Sequence, residues 1–149
     1  MVTSVSNIQI NRPPAEVFEF ITDPGKALIW HLETVGIEGR RGMPAGSTGQ
    51  IITRVMGQDI VSSFEVVEND GKSLTVARST QGPLRFETKQ IVIPLADGQS
   101  LVRIETRIDA GAIFRLAEPV VESLLRTSID ADLQTLKVVL ENHISATPR

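Results

Sequence analysis

The strongest constraint on this chain is its last long apolar stretch, residues 119–144, PVVESLLRTSIDADLQTLKVVLENHI. Val121, Leu125, Ile129, Leu133, Leu136 and Leu140 recur at steps of three and four, which puts them on one side of an α-helix. Pro119 suits the first helical turn, where its missing N–H has no helical partner to lose. Ser123, Arg126, Asp130, Gln134, Lys137 and Glu141 form the opposite, polar side. At ~1.5 Å per residue the helix is roughly 39 Å long, enough to cross a small domain. One residue breaks the pattern. Asp132 falls inside the apolar stripe, flanked by Ser128 and Thr135. A carboxylate aimed at a core is costly unless it has a partner or reaches a wet cavity, so the helix is expected to cover something other than solid core.

The rest of the chain must supply what this helix lies on, and its texture is read in order. Residues 4–12 alternate and predict a first strand, stopped by Pro13-Pro14. AEVFEFIT carries Val17, Phe18 and Ile21 at helical spacing. Asp23-Pro24-Gly25 breaks that short helix, and a second, KALIW, ends near Trp30. From Thr34 onwards β-branched runs alternate with turn residues, which predicts antiparallel strands at 34–41, 49–56, 59–68, 73–79, 84–95 and 101–109. Asn69-Asp70-Gly71 and Asp97-Gly98 are hairpin signals because these residues tolerate positive φ. The last strand sets Val102, Ile104, Thr106 and Ile108 against Arg103, Glu105, Arg107 and Asp109, as in a sheet covered on one side. Ile91 and Ile93 interrupt the alternation of their strand, through either a bulge or an apolar strip on the outer face. The predicted class is α+β: about seven antiparallel strands, two short helices inserted early and one long helix packed over the sheet.

Composition narrows the function. With 149 residues, 41% of them apolar, the chain is expected to be one domain over 1–144 with a short polar tail at 145–149. A net charge of −3 gives no electrostatic footprint for nucleic acid, and Arg40-Arg41 is the only adjacent basic pair. No apolar run approaches the ~20 residues of a membrane span, and the first eleven residues alternate rather than form a signal-peptide core. The absence of cysteine excludes disulfides and thiolate chemistry and makes the cytoplasm the expected compartment. No cluster has metal-ligand spacing, and there is no dinucleotide fingerprint, P-loop or serine nucleophile elbow, so neither metal nor cofactor is expected.

Three local motifs occur in an order that resembles a known family. INRPPAEVFEFITDPGKALIW carries a V-[FW]-x-x-[IV]-x-D-P pattern followed by a tryptophan, AGSTGQI is a glycine-containing strand entry, and DLQTLKVVLE fits L-x-x-L-K-x-x-x-E. The chain is similar in these to the polyketide cyclase/dehydratase-like branch of the START-related (SRPBCC) superfamily, over nearly its whole length. The resemblance implies a helix-grip fold, a curved seven-stranded sheet around the C-terminal helix with a cavity between them. It also implies binding of lipid-, steroid- or polyketide-like molecules, or cyclase, dehydratase or hydrolase activity. Leu32 stands where relatives often have a proline soon after the tryptophan.

Asp132 is the first candidate site residue: either a cavity acid that polarises or protonates a ligand, or a structural acid paired with an arginine from the sheet. Arg54 alternates with Ile52 and Met56, and Arg78 with Leu74 and Val76, so each is read onto an otherwise apolar face. There a guanidinium could hold a carboxylate, enolate or ketone oxygen, unless the strand phase is the reverse. Trp30 could stack on a flat ligand and His31 could act as a base, or the first packs under the helix and the second is solvated. Met56, Phe64, Phe86, Leu125 and Ile129, with Ser128 beside Asp132, are expected to line the space between sheet and helix. Three readings follow. The first is a binding module for a hydrophobic or amphipathic molecule. The second is a polyketide cyclase or dehydratase using Asp132 and an arginine. The third is an interaction protein, for instance a homodimer, joined through Ile91 and Ile93.

Overall fold

The computed structural model describes residues 2–39, 42–109 and 117–143, the side chain of His143 excepted. The elements are β1 (Val2–Ile10), α1 (Pro14–Ile21), α2 (Pro24–Trp30), β2 (Thr34–Glu38), β3 (Thr48–Val55), β4 (Gln58–Asn69), β5 (Leu74–Gln81), β6 (Arg85–Leu95), β7 (Gln99–Asp109) and α3 (Glu118–His143). A short 3-10 turn, Ala96–Gly98, joins β6 to β7. The seven strands, two short helices and long final helix read from the sequence are all present. The polar tail expected at 145–149 lies outside the described residues.

Prolines set the two short helices. Pro14 opens α1 behind an extended Pro13, and Pro24 opens α2, where Asp23 Oδ1 accepts the N–H of Gly25 at 2.9 Å. Both helices bury one side, α1 through Val17, Phe18, Phe20 and Ile21 and α2 through Ala27 and Trp30.

The strands form one antiparallel sheet in the order β1-β7-β6-β5-β4-β3-β2, a curved meander with β1 added beside β7. Its register assigns every side chain to a face. Val2, Ser4, Ser6, Ile8 and Ile10 of β1 lie opposite Ile108, Thr106, Ile104, Val102 and Ser100 of β7. Those in turn lie opposite Phe86, Thr88, Gln90, Val92 and Pro94 of β6. This is the inner face, which α3 covers.

Strand β6 pairs with both neighbours without any shift of register, so no bulge accounts for Ile91 and Ile93. They belong to the outer face, where Leu74 lies opposite Ile91 and Leu101 opposite Ile93. Shifts occur elsewhere, between Ser63 and Phe64 and between Val66 and Glu68 in β4. Gly49 lies directly opposite Phe64, and a Cβ there would come within 2.7 Å of the Phe64 ring. Only glycine lets that ring lie across β3.

Two apolar clusters hold α3 to the sheet. Near its C-terminal half, Ile129, Leu133, Leu136 and Leu140 pack with Val17, Phe18, Trp30, Val92 and Val102. Near its start, Val121 packs with Val2, Ile60 and Leu84, and Leu125 touches both clusters. Leu133 and Leu136 are fully buried, each contributing about 2 kcal/mol. The C-terminal end is fastened by polar groups as well. Arg12 donates to the carbonyls of Leu140 and Glu141, and Lys137 Nζ donates to Gln9 O and Glu141 Oε2. Cations belong at this end of a helix, where its dipole is negative.

Candidate functional site

A polar seam joins α3 to the segment that follows α2. Asp132 sits in the apolar stripe of α3 and is 9% exposed. Its Oδ1 accepts the backbone N–H of Leu32 at 2.9 Å, and its Oδ2 lies 3.4 Å from His31 Nδ1. One turn earlier on the same face, Ser128 donates to Glu33 Oε1 at 2.7 Å. The partners of Asp132 are therefore a backbone amide and a histidine, not the sheet arginine that the structural reading expected. Trp30 is buried at 1% exposure, its ring centroid 3.7 Å from that of His31. His31 itself remains partly open to solvent, at 29% side-chain exposure.

The inner face of the sheet carries the second set of residues. Two apolar ends, formed by the clusters described above, enclose a middle that is polar but uncharged. Ser4, Thr106 and Thr88 make one row across β1, β7 and β6, and Ser6, Ile104 and Gln90 make the next. Thr75 Oγ1 extends the second row with a hydrogen bond to Gln90 Oε1 at 3.1 Å. Ser4, Ser6 and Ser62 are buried at 1%, 5% and 0% exposure, and their hydroxyls have no hydrogen-bond partner in the protein. The buried Nε1 of Trp30 has none either. In the middle of the sheet, Thr53, Ala77, Ser79, Phe86, Thr88 and Gln90 are only half-buried. The backbone of α3 meets chiefly β1 and α2 rather than these central strands.

Three residues read as cavity-facing are elsewhere. Register pairs the inner-face residues Ile60, Ser62 and Phe64 with Thr53, Ile51 and Gly49, which leaves Arg54 on the outer face of β3. It is exposed and donates from Nε to Asp59 Oδ1 at 2.7 Å; that hydrogen bond holds Asp59 below the usual carboxylate range and raises Arg54. Arg78 lies opposite Glu65 and Glu87, also outside, with Nη2 2.8 Å from Glu87 Oε2. The phase of β3 and β5 is thus the reverse of that inferred from their apolar neighbours. Met56 is not in a strand at all. With φ of 52° it forms, together with Gly57 at 80°, the two-residue turn between β3 and β4, and it is 66% exposed.

Of the apolar residues expected to line that space, Ile129 is buried and Leu125 half-buried in the clusters under α3, Phe86 is half-buried on the inner face, and Phe64 is buried on that face against Met43 and Val66. Phe86 and Leu84 also border an open cleft of about 690 Å³ around the β5–β6 connection, with Arg78, Glu87 and Arg107 on its outer side. The hydroxyl rows were not singled out from the sequence. Their signal is Ser4 and Ser6 continuing the Ile8 and Ile10 side of β1, where full burial calls for apolar residues. Among the described residues no group of His, Asp and Glu is placed to hold a metal ion, and no helix is long and apolar enough to cross a membrane. Chemically, the arrangement offers apolar surface, hydroxyl donors and acceptors, and one histidine–carboxylate pair.

The family model for polyketide cyclase/dehydrase and lipid transport matches residues 1–141. Solved structures with the same fold include a protein of Thermus thermophilus, at TM-score 0.78 and 18% identity over 98% of this chain and 99% of that one. A START superfamily protein from Mycobacterium smegmatis aligns at TM-score 0.77 and 14% identity, covering 94% of this chain and 97% of the other. The Zhui aromatase/cyclase from Streptomyces sp. R1128 aligns at TM-score 0.77 and 13% identity, covering 95% and 94%. No curated protein matches the chain in sequence.

Proposed function

We propose a function from one premise: this chain belongs to the polyketide cyclase/dehydrase and lipid transport family. Its role is to bind a hydrophobic or amphipathic small molecule, lipid-, steroid- or polyketide-like, between the inner face of the sheet and α3. One observation carries the reading. Side chains at the centre of the covered face, such as Ala77, Phe86 and Thr88, stay half-buried although apolar clusters seal the helix to the sheet on either side. A solid core packs at crystal-like density, so half-buried side chains on a face closed at both ends leave room for a ligand beside α3. Phe64, Phe86, Leu125 and Ile129 would supply apolar contact, and Trp30 would close the end beneath α2.

Native mass spectrometry of the purified protein, followed by solvent extraction, tests this. A bound or readily loaded hydrophobe is expected. Protein that carries none and takes up none from a panel of lipids, steroids and aromatic polyketides would end the reading.

A cyclase or dehydratase reading keeps one supporting observation, the His31–Asp132 pair, in which the carboxylate orients an imidazole that is still partly open. The arginine half of that mechanism drops out, because Arg54 and Arg78 lie on the far side of the sheet from the helix. If the reading holds, His31→Ala abolishes turnover of an accepted substrate while leaving its binding intact. Self-association rests on the outer strip of Leu74, Ile91, Ile93 and Leu101, and light scattering after size exclusion decides it.

A further inference from the structure

We infer that the cleft between β5 and β6 is a second binding site, for an amphipathic anion: a compact apolar body with a carboxylate, sulfonate or phosphate at one end. This goes beyond the reading above, because it needs no ligand beneath α3.

The first support is a gap in the sheet. Strands β5 and β6 are paired from Leu74 and Ile91 only as far as Arg78 and Glu87. Past that point β5 runs on beside β4 to Gln81, whereas β6 starts beside β7, with Arg85 opposite Asp109. Gly82 holds the connection against β4. Its φ is 119°, and a Cβ there would come within 2.7 Å of Val61 O, so only glycine fits. The N–H of Phe86 reaches across the gap to Ser79 Oγ at 2.9 Å. The parted strands leave an opening of about 690 Å³, within the size range of small-molecule sites.

The second support is the difference between its walls. Leu84 and Phe86 give the opening an apolar inner wall, and Leu84 is anchored in the cluster that contains Val121. Arg78, Arg85 and Arg107 stand on the outer side, where Glu87 is the one acid among the lining residues. An apolar body against Leu84 and Phe86 leaves water. Its acid group, at the outer rim, keeps part of its hydration and meets cations, so it escapes the cost of an unpaired buried charge.

The third support is which arginines are free. Arg78 is committed, with Nε and Nη2 both donating to Glu87 Oε2 at 3.1 and 2.8 Å. Arg85 and Arg107 are exposed, and among the described residues neither guanidinium has a hydrogen bond or an ion pair. Register makes them diagonal neighbours, because Arg85 lies opposite Asp109 and Arg107 opposite Glu87. Side chains so placed start about 7–8 Å apart, a span that two arginines easily close. Two guanidinium forks converging there suit the oxygens of one acid group. Glu87, already held by Arg78, leaves both forks to the ligand.

The test compares 1-pyrenesulfonate with two neutral counterparts, pyrene and 1-pyrenemethanol, by fluorescence titration of the full chain. The proteins are wild type, Arg85→Gln/Arg107→Gln and, as a control, Lys72→Gln/Arg103→Gln, which removes as much charge from residues that do not line the cleft. The sulfonate should bind wild type and the control alike, and the Arg85/Arg107 variant roughly tenfold more weakly, as for lost charge-assisted hydrogen bonds. The neutral counterparts should not distinguish the three proteins. All three should melt alike, since the substituted side chains lie on the surface, so the loss reads the site and not the fold. No sulfonate binding, or equal affinity in all three proteins, would overturn the inference. An equal loss in both double variants would overturn it too, as attraction by net charge alone. Inorganic phosphate at the probe's own concentration should leave the sulfonate bound; displacement would mark a site for a bare anion and contradict the amphipathic assignment. Failure of pyrene to bind any of the three would count against the space beneath α3 and not against this cleft, which the sulfonate decides.

Discussion

Asp132 Oδ1 accepts the backbone N–H of Leu32 at 2.9 Å, which turns an acid in the apolar stripe of α3 into a fastening between that helix and the end of α2. Removing it strands a part-buried amide and frees His31. Asp132→Ala should therefore cost about 2 kcal/mol, seen as a fall in melting temperature of roughly 4–8 °C. Asp132→Asn keeps an acceptor for Leu32 and should lose less. An unchanged melting temperature in the alanine variant would show that the carboxylate has no fastening role.

Glu141 gives the fold a pH-dependent component. Hydrogen bonds from Lys137 and from the backbone N–H of Asn11, with Arg12 nearby, hold its carboxyl below the usual range. A group whose folded pKa is depressed contributes fully above its unfolded value, and that contribution is lost as pH falls through the folded one. In urea titrations, wild type should exceed Glu141→Gln in stability near neutrality. The gap should close as the pH drops below the normal carboxylate range. A gap that widened in acid would reverse the assignment.

Met56 occupies a left-handed conformation that its side chain does not favour. Met56→Asn should raise stability by about 0.5–1 kcal/mol and leave probe affinity unchanged. Loss of affinity would return Met56 to the binding surface.

Arg54 and Arg78 pair with Asp59 and Glu87 on the outer face. Arg54→Ala and Arg78→Ala should melt close to wild type, as exposed ion pairs contribute little, and should bind every neutral probe as wild type does. A selective loss of affinity in either variant would require that arginine to reach the ligand.

Much of the fold was legible because its signals are periodic and local. The stripe from Val121 to Leu140 specified α3 with its buried side, and Pro13-Pro14 and Asp23-Pro24 specified the starts of α1 and α2. The faces of β3 and β5 were not legible in the same way. Ile52 and Leu74 stand beside the arginines as outer-face residues, and a strand with apolar residues on both sides carries no phase signal; only pairing with Ile60, Ser62 and Phe64 resolves it. Asp132 stood out because it violates a pattern, yet its partner, a backbone amide 100 residues away in sequence, leaves no mark in composition. The serines of β1 sit in phase with Ile8 and Ile10 and break the pattern just as plainly, but small polar residues draw less notice than a charge.

The space beneath α3 can be tested by filling it. Thr88 lies half-buried at the centre of the inner face, between Thr106 and Ala77. If that space is open, Thr88→Trp should fold with a melting temperature near that of wild type and lose pyrene binding altogether. If it is packed solid, the added ring should destabilise the protein by about 1–3 kcal/mol or more, and the wild type should bind no pyrene for the variant to lose.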